Sequence, residues 1–214
     1  MICLRHLIGD QRGASAAEYA LVLPLLLIVL FGTIDVGRYA WSLNQAQKAT
    51  QIGARWAVAT NAVATSLQPI APYGSGYDFA VTGGIPQGTI VPKTVFNGSI
   101  ECISDGTNAS CTCTPGSTCN FPTTADTLAF NRLVTRMAQI SPDITASKVK
   151  VAYSRSELGF SGDPIGPQIS PLTTVSLQSL KFVPFTSQIF GGRVDLPQFA
   201  YTLPMEDGSG TSSN

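Results

Sequence analysis

Residues 13–34 read GASAAEYALVLPLLLIVLFGTI and hold a single charged side chain, Glu18. At 1.5 Å rise per residue, such a helix reaches roughly 33 Å, the thickness of a bilayer's hydrocarbon core. Its run LVLPLLLIVLF is apolar on every face, whereas a helix of a soluble domain is apolar along one stripe. The stretch reads as a membrane span, 14–34. Arg5 and Arg12 precede it, and Asp35 and Arg38 follow. Two arginines in a short leader place the N-terminus in the cytoplasm. Small side chains suited to signal peptidase do not follow within a few residues, and the nearest A-x-A is Ala57-Val58-Ala59. The span is therefore expected to stay attached. Pro24 removes one backbone donor inside it and predicts a kink.

Just before the apolar run stands Arg12-Gly13-Ala14-Ser15-Ala16-Ala17-Glu18-Tyr19. A carboxylate this close to the bilayer needs a counter-charge or water, since burial at depth costs about 2.5–3.5 kcal/mol. Cleavage after Gly13 would create an ammonium at Ala14, one helical turn from Glu18. The basic leader ending in glycine, with glutamate five residues on, resembles the type IV prepilin signature. Tyr19 after Glu18 is similar to the Flp-type branch. The wider stretch, 11–60, resembles the TadE-like family of tight-adherence (Tad/Flp) pilus assembly proteins. That resemblance implies Gly13 and Ala14 as the cleavage site of a prepilin peptidase, and Glu18 and Tyr19 as assembly residues. It implies other pilins or TadE-like proteins and an inner-membrane assembly platform as partners. Flp pilins are little more than the helix, whereas this chain continues for about 150 residues, which points to a minor pilin or pseudopilin. The alternatives are a pseudopilin of another type IV-related secretion or DNA-uptake machine, and a permanently anchored periplasmic binding or adhesion module.

Beyond the span the helix should continue through 35–64. Tyr39, Leu43, Ala46, Ala49, Gly53 and Trp56 recur at steps of three and four and share one face. Their small side chains allow close approach, either by a partner helix or by the chain's own globular part. Helix 14–61 would be roughly 70 Å long. Composition shifts near Thr65 to Gly, Pro, Ser and Thr, which predicts loops and short strands, Gly74-Ser75-Gly76 being a flexible loop. Residues 124–140 form a second helix, capped by Thr124 or Asp126, with Leu128, Leu133, Met137 and Ile140 inward. Residues 148–154 and 173–182 read as strands, and 189–203 offers one more. The fold expected is α+β: leader 1–13, span 14–34, helical extension 35–64, an antiparallel-sheet domain 65–204 and a disordered polar tail 205–214.

Thirteen Lys+Arg balance thirteen Asp+Glu and only 12 % of residues are charged, which argues against nucleic acid. His6 is the single histidine of the 214 residues, so His-dependent hydrolysis and two-His metal sites are excluded. No G-x4-G-K phosphate-binding loop occurs. No enzyme, cofactor or metal is expected. Asp105-Gly106-Thr107-Asn108 has a calcium-like look without the further carboxylates such a loop needs. With Cys3 in the leader, Cys102, Cys111, Cys113 and Cys119 remain. A cytoplasmic N-terminus puts them in the periplasm, where disulfides persist. Their spacings do not suit zinc knuckles, so two disulfides stapling a loop are expected, with three pairings open.

Overall fold

The computed structural model describes residues 12–205 and 208–211. The leader residues Arg5, His6 and Cys3 lie outside the described residues. The chain divides into two compact units. One holds the first helix up to Ser42 together with Lys181–Val194, and the other holds Leu43–Leu180 and the chain from Asp195 onward.

Helix α1 runs Arg12–Ala59 without a break at Pro24. Hydroxyls along it fold back onto the preceding turn, Thr33 onto the Leu30 carbonyl at 2.8 Å and Thr50 onto the Ala46 carbonyl at 2.8 Å. Strands β1 (Phe96–Asn97), β2 (Ser99–Ser104), β3 (Ala109–Cys113) and β4 (Thr118–Cys119) precede helix α2 (Thr127–Ala138). Strands β5 (Val149–Ser154), β6 (Leu172–Leu177) and β7 (Lys181–Phe182), the short helix α3 (Ser187–Phe190), β8 (Val194–Asp195) and β9 (Phe199–Pro204) complete the order. Five strands form one antiparallel sheet in the order β3-β2-β5-β6-β9. The α+β architecture of an apolar N-terminal helix followed by an antiparallel-sheet domain is as expected.

In the larger unit, the inward face of the sheet is set by period-two alternation. Ile100, Cys102, Val149, Val151, Tyr153, Val175 and Leu177 are buried there. They share a core with Ala46, Ala49, Ala54 and Ala57 of α1 and with Phe130, Leu133 and Met137 of α2. Gly53 faces Met137 so closely that a Cβ would lie 2.7 Å from its sulfur. The small-residue face of the helix is therefore filled, from Ala46 to Trp56, by the chain's own domain.

Asp126 caps α2, accepting from the Ala129 amide at 3.0 Å. Leu128, expected inward, is 67 % exposed. The cap starts the helix so that Ala129, Phe130, Leu133 and Met137 form its buried stripe instead. The run expected as one strand over 173–182 is broken between β6 and β7, where Ser179 adopts φ 56°. Strands β2 and β3 replace an expected loop. The Gly74-Ser75-Gly76 stretch is a pinned turn: the Gly76 amide donates to the Pro69 carbonyl at 2.9 Å, and a Cβ there would meet the Gln68 carbonyl oxygen at 1.9 Å. Only glycine fits. Part of the expected disordered tail is also ordered. Met205 is fully buried, and the Gly210 amide donates to Asn61 Oδ1 at 2.7 Å while the Asn61 amide donates to the Gly210 carbonyl.

Tyr153 crosses the core and its hydroxyl accepts from the Val63 amide at 2.8 Å. Burial pushes its pKa far up, so it stays neutral. Tyr153→Phe leaves a buried N–H without a partner, and a loss of about 1–3 kcal/mol is expected in urea unfolding.

Two carboxylates organise turns in this unit. Asp105 Oδ1 accepts from the Asn108 amide at 2.8 Å and the Thr107 amide at 2.7 Å, closing the β2–β3 hairpin. The calcium-like spacing serves a turn. Asp78 accepts from the Val81 and Ala80 amides and from Gln168 Nε2. The hydrogen bonds of Asn108 and Thr107, and of Val81 and Gln168, hold both carboxyls below their ordinary range. Folded-state pKa values below the unfolded ones stabilise above about pH 4 and lose that contribution as pH falls further. The unfolding midpoint should stay level near neutrality and drop below about pH 4. Asp78→Asn/Asp105→Asn should make that acid decline shallower.

Candidate functional site: the apolar helix and its exit

The unit that carries the N-terminal half of α1 contains the residues singled out for processing and assembly. Gly13 and Ala14 lie in the first turn of α1, with Glu18 one turn beyond Ala14. Glu18 is exposed, and Tyr19 is 66 % exposed. The helix that follows contains an 18-residue window of mean hydropathy 2.4, of which 6 % is buried. Leu21, Leu25, Leu26, Val29 and Leu30 all face outward. In water so much unpartnered apolar surface would be strongly unfavourable, at about 25 cal/mol per Å². The helix is long and apolar enough for a single-pass membrane anchor, with which it is compatible. Val22, Leu25, Leu26, Val29, Leu30 and Thr33 line one continuous strip along it. Their spacing of three and four residues is that of one helix face.

At the end of the apolar run stands an arrangement that sequence reasoning missed. Asp35 is only 7 % exposed. Its Oδ1 accepts from the Phe185 amide at 2.7 Å, and its Oδ2 accepts from the Thr186 amide at 2.9 Å and the Thr186 hydroxyl at 2.8 Å. Arg38 Nη1 donates to Oδ1 at 3.3 Å. Burial pushes the Asp35 carboxyl up, but the Thr186 and Phe185 amides, the Thr186 hydroxyl and the Arg38 charge outweigh it and hold the carboxyl below its ordinary value. The Arg38 guanidinium lies 4.1 Å from the centre of the Phe185 ring and 5.3 Å from that of Phe182. Tyr39, expected on the packing face, meets Phe182 edge-on at 5.5 Å. An acidic residue directly after an apolar span was visible in the sequence, but its partners lie 150 and 151 positions away.

The remaining candidate residues lie in the larger unit. Cys102 and Cys111 are bonded across directly opposite positions of β2 and β3. Cys113 and Cys119 are bonded from β3 to β4. The first bridge thus staples two paired strands and the second ties the five-stranded sheet to the β1–β4 pair, and Cys102 is fully buried in the core. Trp56 packs partly on that core and carries the Arg136 guanidinium 5.8 Å from its ring centre. Among the described residues, no three His, Cys, Asp or Glu side chains converge as a metal site.

Residues 13–55 match the family model described as TadE-like protein. The matched segment includes Gly13, Ala14, Glu18 and Tyr19, Asp35 and the face from Tyr39 to Gly53, and ends just before Trp56. The sheet domain lies outside it. No curated protein and no solved structure matches the chain. The TadE-like match supports a part in Tad pilus assembly.

Proposed function

We propose that this chain is a minor pilin or pseudopilin-like component of a Tad/Flp pilus apparatus. It is held in the bacterial inner membrane by residues 14–34, with its leader cytoplasmic and its sheet domain periplasmic. The observation that carries this reading is the coincidence of the TadE-like segment 13–55 with one continuous helix. The first half of that helix is apolar and outward-facing, and its second half is built into a folded domain. Only a helix that partitions into lipid, or packs against other such helices, accounts for the first half. The bonded cysteines support an oxidising compartment for the domain.

In this reading a prepilin peptidase cleaves after Gly13 and frees the Ala14 ammonium. Glu18 then neutralises that ammonium, within the chain or on a neighbouring pilin, and Tyr19 flanks the contact. The strip from Val22 to Thr33 packs against other pilins, TadE-like proteins or the assembly platform. The small residues Ala46, Ala49 and Gly53 are not part of that interface, because the domain's own core already covers them.

Glu18→Ala tests the pairing. Cleavage should continue, since the leader and Gly13 are intact, while the amount of assembled pilus should fall severely. Quantifying sheared filaments beside the mature-size band in membranes separates the two steps. Normal assembly by Glu18→Ala would favour a permanently anchored periplasmic module, for which this carboxylate has no task.

A further inference from the structure

We propose that residues 182–188 form an interfacial foot that rests in the lipid headgroup layer where α1 leaves the bilayer. The inference rests on the membrane-spanning reading of residues 14–34 and extends it to a segment about 150 residues further along the chain.

Depth comes first. Phe31, Ile34, Phe185 and Gln188 line one cleft. Phe31 lies three residues before the end of the span, or about 4.5 Å along the helix axis. Phe185 is therefore level with the last turn of the span, at the boundary between hydrocarbon and headgroups. Val183 and Phe185 are each 51 % exposed there, continuous with the apolar surface of the helix. Apolar side chains of interfacial elements enter the bilayer at this depth.

The backbone of the segment fits a site poor in water. Irregular chain is tolerated near a membrane only where its polar groups are satisfied within the protein. Pro184 has no N–H. The Phe185 and Thr186 amides are taken by Asp35, the Ser187 amide donates to the Pro184 carbonyl at 3.2 Å, and the Gln188 amide donates to the Phe185 carbonyl at 3.1 Å. Four consecutive amides thus have acceptors inside the unit, although the Val183, Phe185 and Gln188 side chains beside them are exposed. Arg38, 43 % exposed at its side chain, stacks over Phe185 and offers its charge at headgroup level. Lys181 and Arg193, both exposed, flank the segment with further positive charge. Aromatic and basic side chains together favour the anionic interfacial zone over the hydrocarbon interior.

The test uses the full chain reconstituted in phosphatidylethanolamine/phosphatidylglycerol vesicles containing lipids brominated either near the carbonyls or near the chain ends. Reporters are Leu25→Trp, Phe185→Trp and Tyr73→Trp, each in a Trp41→Phe/Trp56→Phe background, with Val183→Trp as a second probe of the foot. The foot predicts that the Phe185→Trp and Val183→Trp reporters lose most emission to shallow bromines, the Leu25→Trp reporter to deep ones, and the Tyr73→Trp reporter to neither. If Leu25→Trp is quenched while both foot reporters are not, that surface faces protein, such as a second copy, and the foot is overturned with the span intact. If Leu25→Trp itself escapes quenching, the spanning reading fails and the foot fails with it.

Discussion

Gly13→Val is expected to leave the leader attached and to abolish pilus assembly. In the proposed function, a protease at the cytoplasmic membrane face must bring its catalytic groups up to the peptide bond after residue 13. Glycine permits that approach because it has no Cβ. Valine adds a branched side chain at that bond and is stiff at χ1. An unprocessed chain keeps Arg5 and Arg12 on the cytoplasmic side. Drawing each of them through the bilayer costs about 2.5–3.5 kcal/mol on insertion scales, so the helix cannot leave the membrane. The measurement is the size of the membrane-extracted protein beside the yield of sheared filaments. Gly13→Val at the mature size would remove Gly13 from the processing step. Because this substitution acts before assembly and Glu18→Ala acts during it, the pair separates a pilin-like component from a plain anchor, for which both are neutral.

The second large effect is on stability. Replacing Cys102, Cys111, Cys113 and Cys119 with alanine should cost about 5 kcal/mol of domain stability. The two bridges close short loops, with sequence separations of 9 and 6. In the chain-entropy treatment, loops of this length contribute about 2.5 kcal/mol each. The loops do not overlap, so their contributions should nearly add. A total of this size rivals the 5–15 kcal/mol that commonly holds a domain together. Alanine avoids placing a hydroxyl at the fully buried Cys102. Urea unfolding of the oxidised, reduced and alanine forms should give a high midpoint for the first and low, similar midpoints for the others. Unchanged midpoints on reduction would show that β2, β3 and β4 hold without the bridges.

What the sequence made legible follows signal strength. The apolar run of residues 13–34 and the three-four spacing from Tyr39 to Trp56 each read as helix, and both lie on α1; which partner covers the second face was left open by spacing alone. Strand β5 alternates cleanly, as Val149, Val151 and Tyr153 point inward. The hairpin of β2 and β3 was hidden because the apolar Ile103 faces outward and the polar Ser104 inward, against the alternation, and two of its inward positions are cysteines. Leu128 misled because helix phase is set by the Asp126 cap and by Phe130, which is larger and fully buried. At the candidate site, Gly13 to Tyr19 could be picked out because their motif is local. The Asp35 arrangement is not local. Its acceptor sits at the end of the span and, Arg38 apart, its donors lie in a turn that follows β7. Nothing within a few residues of Asp35 announces them.

In the proposed function residues 1–13 are a leader removed to expose Ala14 beside Glu18. Intact-mass and N-terminal peptide analysis of the protein from membranes of cells containing a prepilin peptidase, beside cells lacking it, tests this most directly. A chain beginning at Ala14 in the first and at Met1 in the second is the expected result. A chain beginning at Met1 in both would contradict the pilin-like reading.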